Sequence, residues 1–310
     1  MSIYAWITDH LPFGKKIKRM SQQIPEILLK TDRLMSRQLF NYYWEKTLSC
    51  KEMGVSGDRL CNEEVVVSLT SFGDRVKYVH LAIESFMQQT MKPNRIVLWL
   101  AEDEFKEKTL PIALQLQQKR GLEIVYCEDL KSYKKLIPSL KRFPDACIIT
   151  IDDDIAYCPD MVEQLIQAHK DNQTSICALR MHGIVLDDKD NIKPYREWQW
   201  CINKCPENNK LAFFTTGGGV LFPPHCFPVD VFDKSVFMGM CGTTDDVWFN
   251  AMRILNGVNV RKVFSVYSNG YLSELPSSNI NPLHSNNWSG GNDRAINAVY
   301  RRYNLFDKLR

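Results

Sequence analysis

The sequence reads CIITIDDDIAY from Cys147 to Tyr157, an apolar run that ends in three consecutive acidic residues. Pro144 precedes the run and Pro159 comes after it, and the apolar part predicts a short strand buried on both faces. A strand of this kind belongs at the centre of a sheet. We therefore expect the rest of the fold to be arranged around it.

The acids of this run are Asp152, Asp153 and Asp154. In extended backbone, residues two apart point the same way, so Asp152 and Asp154 are expected to face together and Asp153 to point elsewhere. Adjacent carboxylates repel one another, so a cation is expected beside them. Two hard oxygen ligands suit Mg²⁺ or Mn²⁺ better than Zn²⁺. The alternative is a polar strand end that caps the next helix.

Composition limits the class of protein. The chain has 310 residues, 45% of them hydrophobic, which is enough for one large domain with or without a smaller appendage. Its 39 basic and 36 acidic residues nearly cancel, so we expect no nucleic-acid partner. No apolar segment approaches the roughly 20 residues that span a bilayer, and the N-terminus lacks the apolar core of a signal peptide. We expect a soluble, cytoplasmic protein.

Ten cysteines are scattered through the chain, several of them inside predicted strands. Because nothing in the sequence exports the chain, we expect these thiols to be reduced and mostly buried. Cys201 and Cys205 form the closest pair, but no second pair at ordinary zinc spacing comes after them. The sequence therefore does not favour a zinc site there.

Residues 1–60 differ in pattern from the rest of the chain. A basic cluster at residues 15–19 precedes a segment with helical periodicity, so we interpret 1–60 as an N-terminal helical extension and 61–310 as the main domain. The cluster and nearby aromatic residues are compatible with a peripheral contact at the inner face of the cell membrane. A solvated basic face is the alternative.

From residue 65 onward, predicted strands alternate with predicted helices. This pattern predicts an α/β fold with a mostly parallel central sheet flanked by helices. Acidic or polar residues stand directly after these strands, so we expect a crevice at that edge of the sheet. Residues 176–290 are interpreted as the second half of the same domain. The predicted strands are Val65–Thr70, Arg95–Leu100, Leu122–Tyr126 and the strand around Ile148.

Two segments that come directly after predicted strands carry candidate nucleotide-binding residues. Thr70, Ser71 and Arg75 lie in a turn that leads into a helix, a position suited to a phosphate or a nucleobase, although an ordinary turn fits equally well. Asp129 could accept a hydrogen bond from a base or a ribose. Lys134 and the lysine after it could bind a diphosphate, or could simply be solvated.

Two later segments carry further candidates. Gly218 is the middle one of three successive glycines, which indicate either close approach of a ligand or a bulge or tight crossing. Asp245 and Asp246 lie where a predicted helix begins, and Trp248 lies in its first turns. One acid suffices as a helix cap. The second could accept a proton from an attacking sugar hydroxyl.

The last candidate is His284, in the polar stretch PLHSNNWSGGND at residues 282–293. Small and polar residues around one histidine suggest a loop that orders over a ligand. His284 could complete a metal site or contact a phosphate. A lone histidine in a loop more often does neither.

Four motifs in this order resemble the GT-A class of nucleotide-sugar-dependent glycosyltransferases, and more narrowly bacterial enzymes that build surface polysaccharide. The resemblance covers about residues 64–293. The motifs are VSLTS at 67–71, DDD at 152–154, TGGGVL at 216–221 and DDVW at 245–248.

The resemblance implies a donor that is a nucleoside-diphosphate sugar, an acceptor that is a saccharide or a lipid-linked saccharide, and Mn²⁺ or Mg²⁺ as the cofactor. Asp152, Asp154 and His284 would bind the metal. Asp246, with Asp245 as its rival, would be the catalytic base of an inverting reaction, and Trp248 would contact the acceptor. The implied donor-binding residues are Thr70, Ser71, Arg75, Asp129, Lys134, Asp153 and Gly218.

The chain departs from that family in its FGDR turn at 72–75 and in its late Asp-Asp pair, which leaves the nucleotide and the stereochemistry open. A retaining glycosyltransferase and a nucleotidyltransferase are the alternatives among enzymes. A nucleotidyltransferase normally has a glycine- and arginine-rich loop after its first strand, and this chain offers one of each there. A non-catalytic carbohydrate-binding or assembly subunit is the alternative of a different class.

Overall fold

The computed structural model describes residues 34, 36–265, 271–280 and 290–309. The chain divides into two compact units, Met1–Tyr42 and Tyr43–Arg310. In the first unit the described residues, 34 and 36–42, are helical. In the second unit residues 43–49 are helical (α1). The basic cluster at 15–19 lies outside the described residues, so its interpretation stays a prediction. No helix in the described part of the chain is long and apolar enough to cross a membrane.

The second unit is built around a seven-stranded sheet with the strand order β10-β6-β9-β4-β1-β2-β3. The strand around Ile148 is β4, and it lies at the centre of this order, as predicted. All neighbouring strands run parallel except β9, which is antiparallel to both β4 and β6. The strands are β1 Val65–Thr70, β2 Arg95–Ala101, β3 Leu122–Cys127, β4 Cys147–Ile151, β6 Ile176–Ala178, β9 Gly218–Phe222 and β10 Val260–Lys262.

Two small antiparallel sheets complete the strands. One pairs β5 with β11, and the other pairs β7 with β8. In the β5–β11 sheet, β5 comes directly after the three acids, and its pairing with β11 places residues 271–280 beside them. These strands are β5 Ile155–Tyr157, β7 Met181–Gly183, β8 Ala212–Phe214 and β11 Tyr271–Glu274.

Helices cover both faces of the large sheet. The helix after β1 begins only at Val79, because Gly73–Lys77 forms a 3-10 turn first. Two short helices lie between β2 and β3, and residues 106–111 separate them. The helices are α2 Val79–Met87, α3 Glu102–Phe105, α4 Ile112–Gln118, α5 Ile137–Arg142, α6 Met161–Asp171, α7 Lys234–Cys241, α8 Asp245–Leu255, α9 Asn292–Arg302 and α10 Leu305–Lys308.

The sheet has a separate apolar core on each face. Val66 and Ile148 belong to one core, and Val65, Val67 and Ile149 belong to the other. Side chains alternate between the faces of a strand, so a strand covered on both sides must be apolar at nearly every position. This explains the uninterrupted apolar runs in the sequence. It also confirms the predicted fold class, a mixed α/β fold with a mostly parallel central sheet flanked by helices.

Candidate active site

A pocket of about 530 Å³ lies at the carboxyl ends of the parallel strands. Its position results from the strand order, because the chain passes from β1 to β2 and β3 on one side and returns to β4 on the other. Loops diverge at such a switch point and leave a crevice outside the strand ends. The predicted residues that line the pocket are Thr70, Arg75, Asp129, Lys134, Asp152, Asp153, Asp154, Asp245 and Asp246.

Asp153 is the buried member of the acidic triplet, with 5% of its surface exposed. Ser71 donates its hydroxyl to Oδ2 of Asp153 over 2.6 Å, and Arg75 forms an ion pair with the same carboxylate. Burial raises the pKa of Asp153 despite the charge of Arg75. Since its oxygens are already occupied, Asp153 mainly holds Arg75 and the turn after β1.

Asp154 shares Arg75 with Asp153, because one guanidinium nitrogen lies 2.6 Å from Oδ2 of Asp154. The side chain of Asp154 is 21% exposed and opens to the pocket. Burial, together with the charge of Asp152, raises the pKa of Asp154 to about 6. Negative charge at this point of the pocket is therefore only partly compensated by protein groups.

Asp152 contacts Lys135, whose Nζ lies 2.7 Å from Oδ1 of Asp152 and 3.4 Å from Oδ2 of Asp245. Burial acts to raise the pKa of Asp152, but the charge of Lys135 and its hydrogen bond outweigh burial and lower it. The Lys135 side chain is 6% exposed, so this ammonium is a fixed part of the site. It joins the end of β4 to the beginning of α8.

The late acidic pair meets at Thr216. The Thr216 hydroxyl lies 2.9 Å from Oδ2 of Asp245 and 2.8 Å from Oδ1 of Asp246, and the Thr216 amide donates to the same oxygen of Asp246. A hydroxyl has one proton, so it can donate to only one carboxylate; both short contacts are satisfied only when one acid is protonated. Burial and the charge of Asp245 accordingly raise the pKa of Asp246 to about 6.

The two acids differ in exposure and in their contact with Lys135. Asp245 is 7% exposed, and its Oδ2 lies close to both the Thr216 hydroxyl and Nζ of Lys135. Asp246 is partly exposed in the pocket, and its Oδ1 accepts from Thr216. Asp246 is therefore the acid of the pair that is more accessible to a bound molecule.

Gly217, the first of the three glycines, lies directly against the side chain of Asp152. A Cβ atom at Gly217 would lie 1.6 Å from Oδ2 of Asp152, a distance that no side chain can occupy. Tyr157 fixes this contact, since its hydroxyl donates to the Gly217 carbonyl over 2.6 Å and accepts from the Asp152 amide over 2.8 Å. The glycine that faces the pocket is thus Gly217 rather than Gly218.

Asp129 and Lys134 lie together in the pocket wall and form an ion pair. The side chain of Lys134 is 2% exposed, whereas that of Asp129 is 46% exposed. Lys134 is therefore a buried lysine whose charge is paired with Asp129, and it is not a solvated surface lysine. Asp129 is the member of the pair that a ligand can reach.

The sequence did not predict Arg180 as a site residue, and it did not predict that Lys135 pairs with the acids. Arg180 lines the pocket and donates its Nε to Thr215 over 2.6 Å. Burial acts to lower the pKa of Arg180, but the charge of Asp152 outweighs burial and raises it. The available signal was a basic residue two positions after β6, at the carboxyl edge of the sheet. The signal for Lys135 was the need of three adjacent acids for a cation.

Several predicted residues lie away from the pocket. Ser71 is fully buried, and its hydroxyl donates to Asp153. Gly218 lies within β9, where a Cβ would meet Arg180. Trp248 is fully buried, and its indole donates to the Val231 carbonyl over 3.1 Å, which corrects the expectation that it contacts an acceptor. His284 lies outside the described residues, so its role stays a prediction.

The pocket carries an excess of negative charge. Among the described residues, its lining contains eight carboxylates and five basic side chains. A nucleoside diphosphate brings further negative charge, so it would enter such a pocket only with a cation or with protonation of some acids. The charge balance therefore fits binding of a cation together with a phosphorylated ligand.

Comparison with solved structures supports the fold. The chain is similar to the mannosyltransferase PcManGT from Pyrobaculum calidifontis in complex with GDP-Man and Mn²⁺, with a TM-score of 0.50, 12% identity, and coverage of 90% of this chain and 78% of that one. A CMP:2-keto-3-deoxy-manno-octonic acid synthetase complexed with CTP gives a TM-score of 0.41 at 12% identity, over 69% of this chain and 94% of that one. That second score is too low to bear on the fold. No family model and no curated protein matches the sequence.

Proposed function

We propose that this protein is a glycosyltransferase that moves a sugar from a nucleoside-diphosphate sugar to a hydroxyl of a saccharide or lipid-linked saccharide. The observation that carries the proposal is the pocket itself. It brings together Asp152 and Asp154, at the end of a buried strand, and Asp246, a pocket acid with a pKa of about 6. The solved mannosyltransferase of similar fold binds GDP-Man and Mn²⁺, which is the same class of donor and cofactor.

The residues present fit a divalent cation such as Mn²⁺ or Mg²⁺. Asp152 and Asp154 are the exposed members of the triplet, and the raised pKa of Asp154 marks uncompensated negative charge. Mg²⁺ is usually bound by one or two carboxylates, several waters and the phosphates of the substrate, so no larger protein cage is required. When bound, the cation would stabilise the charge that develops on the departing diphosphate.

The protein's own groups account for the remaining steps of an inverting displacement. The acceptor oxygen attacks the anomeric carbon while the bond from that carbon to the diphosphate oxygen breaks. Asp246 takes the hydroxyl proton, for which a pKa near the working pH is well matched. Lys135 and Arg180 are fixed cations that lie in the same pocket as the leaving group would.

The biological setting extends the same proposal. The sequence resemblance to enzymes of bacterial surface polysaccharide supports synthesis of a capsule, O-antigen or lipooligosaccharide. A cytoplasmic protein would meet lipid-linked acceptors at the inner face of the membrane, which gives the basic cluster at residues 15–19 a role in peripheral contact.

The proposal is tested by incubating the full chain with a panel of nucleoside-diphosphate sugars, with Mn²⁺, with Mg²⁺ or with a chelator, and measuring release of the nucleoside diphosphate. Thermal unfolding in the same panel identifies the donor, because a ligand at 100 times its dissociation constant stabilises by about 2.7 kcal/mol. We expect one nucleotide to stabilise the protein in a metal-dependent way and its sugar conjugate to be turned over.

Asp152→Asn should abolish the metal-dependent stabilisation. Asp188→Asn, the same chemical change at an acid outside the pocket lining, should leave it intact. Release of inorganic diphosphate from a nucleoside triphosphate and a sugar phosphate would instead identify a nucleotidyltransferase. Sugar binding without any nucleotide effect would favour a non-catalytic subunit.

A further inference from the structure

A second cluster of metal-ligating side chains lies at the opposite edge of the large sheet from the pocket. It consists of Cys61, Glu63, Cys147 and His169, which we call the CECH cluster. Cys147 is the first residue of β4 and the register partner of Val65, the first residue of β1. The cluster therefore lies where these parallel strands begin, whereas the pocket lies beyond their carboxyl ends.

The four ligand atoms are close enough to share one ion. They all lie within 4.8 Å of one another. Nε2 of His169 is 3.4 Å from Sγ of Cys147 and 3.2 Å from Oε2 of Glu63. In a tetrahedral zinc site with Zn–S near ~2.3 Å and Zn–N and Zn–O near ~2.1 Å, neighbouring ligand atoms are about 3.4 to 3.8 Å apart. The two distances to His169 need shifts of only a few tenths of an ångström.

The types of residue select the class of ion. Two thiols and an imidazole form a borderline-soft set that suits Zn²⁺, whereas Mg²⁺, Ca²⁺ and Mn²⁺ prefer sets made of oxygen atoms. Cys147 and His169 are fully buried, and Cys61 is 8% exposed. The Glu63 side chain is 19% exposed and gives the ion a route from solvent.

The backbone holds the ligands in place without an ion. The Cys147 amide donates to the Glu64 carbonyl over 2.9 Å, and Nε of Arg59 donates to the Cys61 carbonyl over 3.3 Å. The segment before β1 is thus already fixed beside β4. A site that exists before binding loses little conformational freedom when the ion arrives.

We propose that the CECH cluster binds one Zn²⁺ ion through the two cysteine sulfurs, the imidazole of His169 and the carboxylate of Glu63. Binding releases the two thiol protons to solvent and leaves both cysteines as thiolates. All four coordination positions are then filled by the protein, which is the arrangement of structural rather than catalytic zinc. The ion links the segment before β1 to β4 and α6. This structural role is independent of the pocket.

The first experiment measures metal content in the full chain, expressed with zinc in the medium and desalted in the presence of a weak chelator. We expect elemental mass spectrometry to find one retained zinc ion per chain. After exchange with Co²⁺ we expect the ultraviolet charge-transfer band of a thiolate complex and the visible bands of tetrahedral cobalt. Both readouts are independent of enzymatic activity.

Cys61→Ser should lose the retained zinc and the charge-transfer intensity of one thiolate. The matched control is Cys201→Ser, which changes an exposed cysteine outside the cluster and should retain both. Glu63→Gln changes a partly exposed ligand, so it keeps the experiment decisive if Cys61→Ser fails to fold; it should weaken zinc retention and alter the visible cobalt bands.

Three results would overturn the proposal. The first is a chain that retains no zinc and gives no cobalt spectrum. The second is a Cys61–Cys147 disulfide found by mass spectrometry of the unreduced protein. The third is zinc retention that Cys61→Ser and Glu63→Gln leave unchanged, which would place the ion elsewhere.

Discussion

Nζ of Lys135 lies 2.7 Å from Oδ1 of Asp152, and this buried ammonium joins the acid at the end of β4 to the pocket wall. The backbone of Lys135 is also held in place, since Ser68 donates its hydroxyl to the Lys135 carbonyl over 2.5 Å. A lysine in this position partly neutralises an acid that would also bind a metal. If Asp152 binds a cation as proposed, that binding would be coupled to the Lys135 ion pair.

Lys135→Met removes the ammonium and keeps most of the side-chain volume. We expect the free energy of unfolding to fall by about 1 to 3 kcal/mol at neutral pH, less than for a fully buried pair because Asp152 is 34% exposed. Lys135 lowers the pKa of Asp152, so this contribution is present above the ordinary pKa of 3.8 and is lost as the pH falls through the lowered value. Urea unfolding at several pH values measures both effects.

Lys106→Met is the control, because Lys106 pairs with Glu102 at an exposed site. Its effect should be clearly smaller than that of Lys135→Met, because an exposed ion pair contributes little to stability. Equal effects of the two substitutions would contradict a structural role for the Lys135 ion pair.

Asp246→Asn should lower kcat for sugar transfer by about 10² to 10⁴-fold with little change in donor affinity, because it removes the group that accepts the proton. In the unmodified protein kcat should fall as the pH drops below the pKa of Asp246, which is about 6. Rate measurements from about pH 5 to about pH 8 test this. Asp245→Asn should lower kcat less, and the reverse order would assign the base to Asp245.

Asp246→Asn should also stabilise the folded protein. The pKa of Asp246 is raised from 3.8 to about 6, so the folded state disfavours the charged form, and this unfavourable contribution is present above the raised value and disappears below about 4. Asp246→Asn should therefore raise the free energy of unfolding by about 1 to 3 kcal/mol at pH values above about 7. Urea unfolding should show no such gain in acid, and a gain independent of pH would contradict the explanation.

Gly217→Ala should displace Asp152, because the added methyl group would lie 1.6 Å from a carboxylate oxygen. We expect loss of metal-dependent nucleotide binding and destabilisation by about 1 to 3 kcal/mol. The control is Gly239→Ala, in α7, where a Cβ meets nothing within 4 Å and an alanine should stabilise by about 0.5 to 1 kcal/mol. Normal nucleotide binding by Gly217→Ala would show that Asp152 can move without consequence.

The strands and their order along the chain could be predicted from the sequence. A strand covered on both faces must be apolar at nearly every position, and β1, β2 and β4 show this directly. The triplet at 152–154 marked the functional edge because charged groups end such a strand only where solvent or a ligand meets it. Helix boundaries were less predictable, as the 3-10 turn at Gly73–Lys77 and the break at residues 106–111 show.

The tertiary contacts of individual residues could not be predicted from the sequence in this way. Trp248 has the helical spacing of a surface contact residue as well as that of a core residue, and only its full burial and its hydrogen bond to the Val231 carbonyl distinguish the two. Cys61 and Cys147 are 86 positions apart, so no local spacing pairs them. The sequence left open whether the three glycines admit a ligand or allow a bulge or tight crossing, and only the structure places the Asp152 side chain against Gly217.

The sequence by itself determined the class of fold, the edge of the sheet that carries the acids, and the types of residue in the pocket, because these depend on local pattern and on the alternation of strands and helices. The tertiary structure decided that Lys135 faces Asp152, that Thr216 lies between Asp245 and Asp246, and that Cys61, Glu63, Cys147 and His169 meet at the other edge of the sheet. These contacts depend on the register and crossing of segments far apart in the chain, which no local pattern encodes.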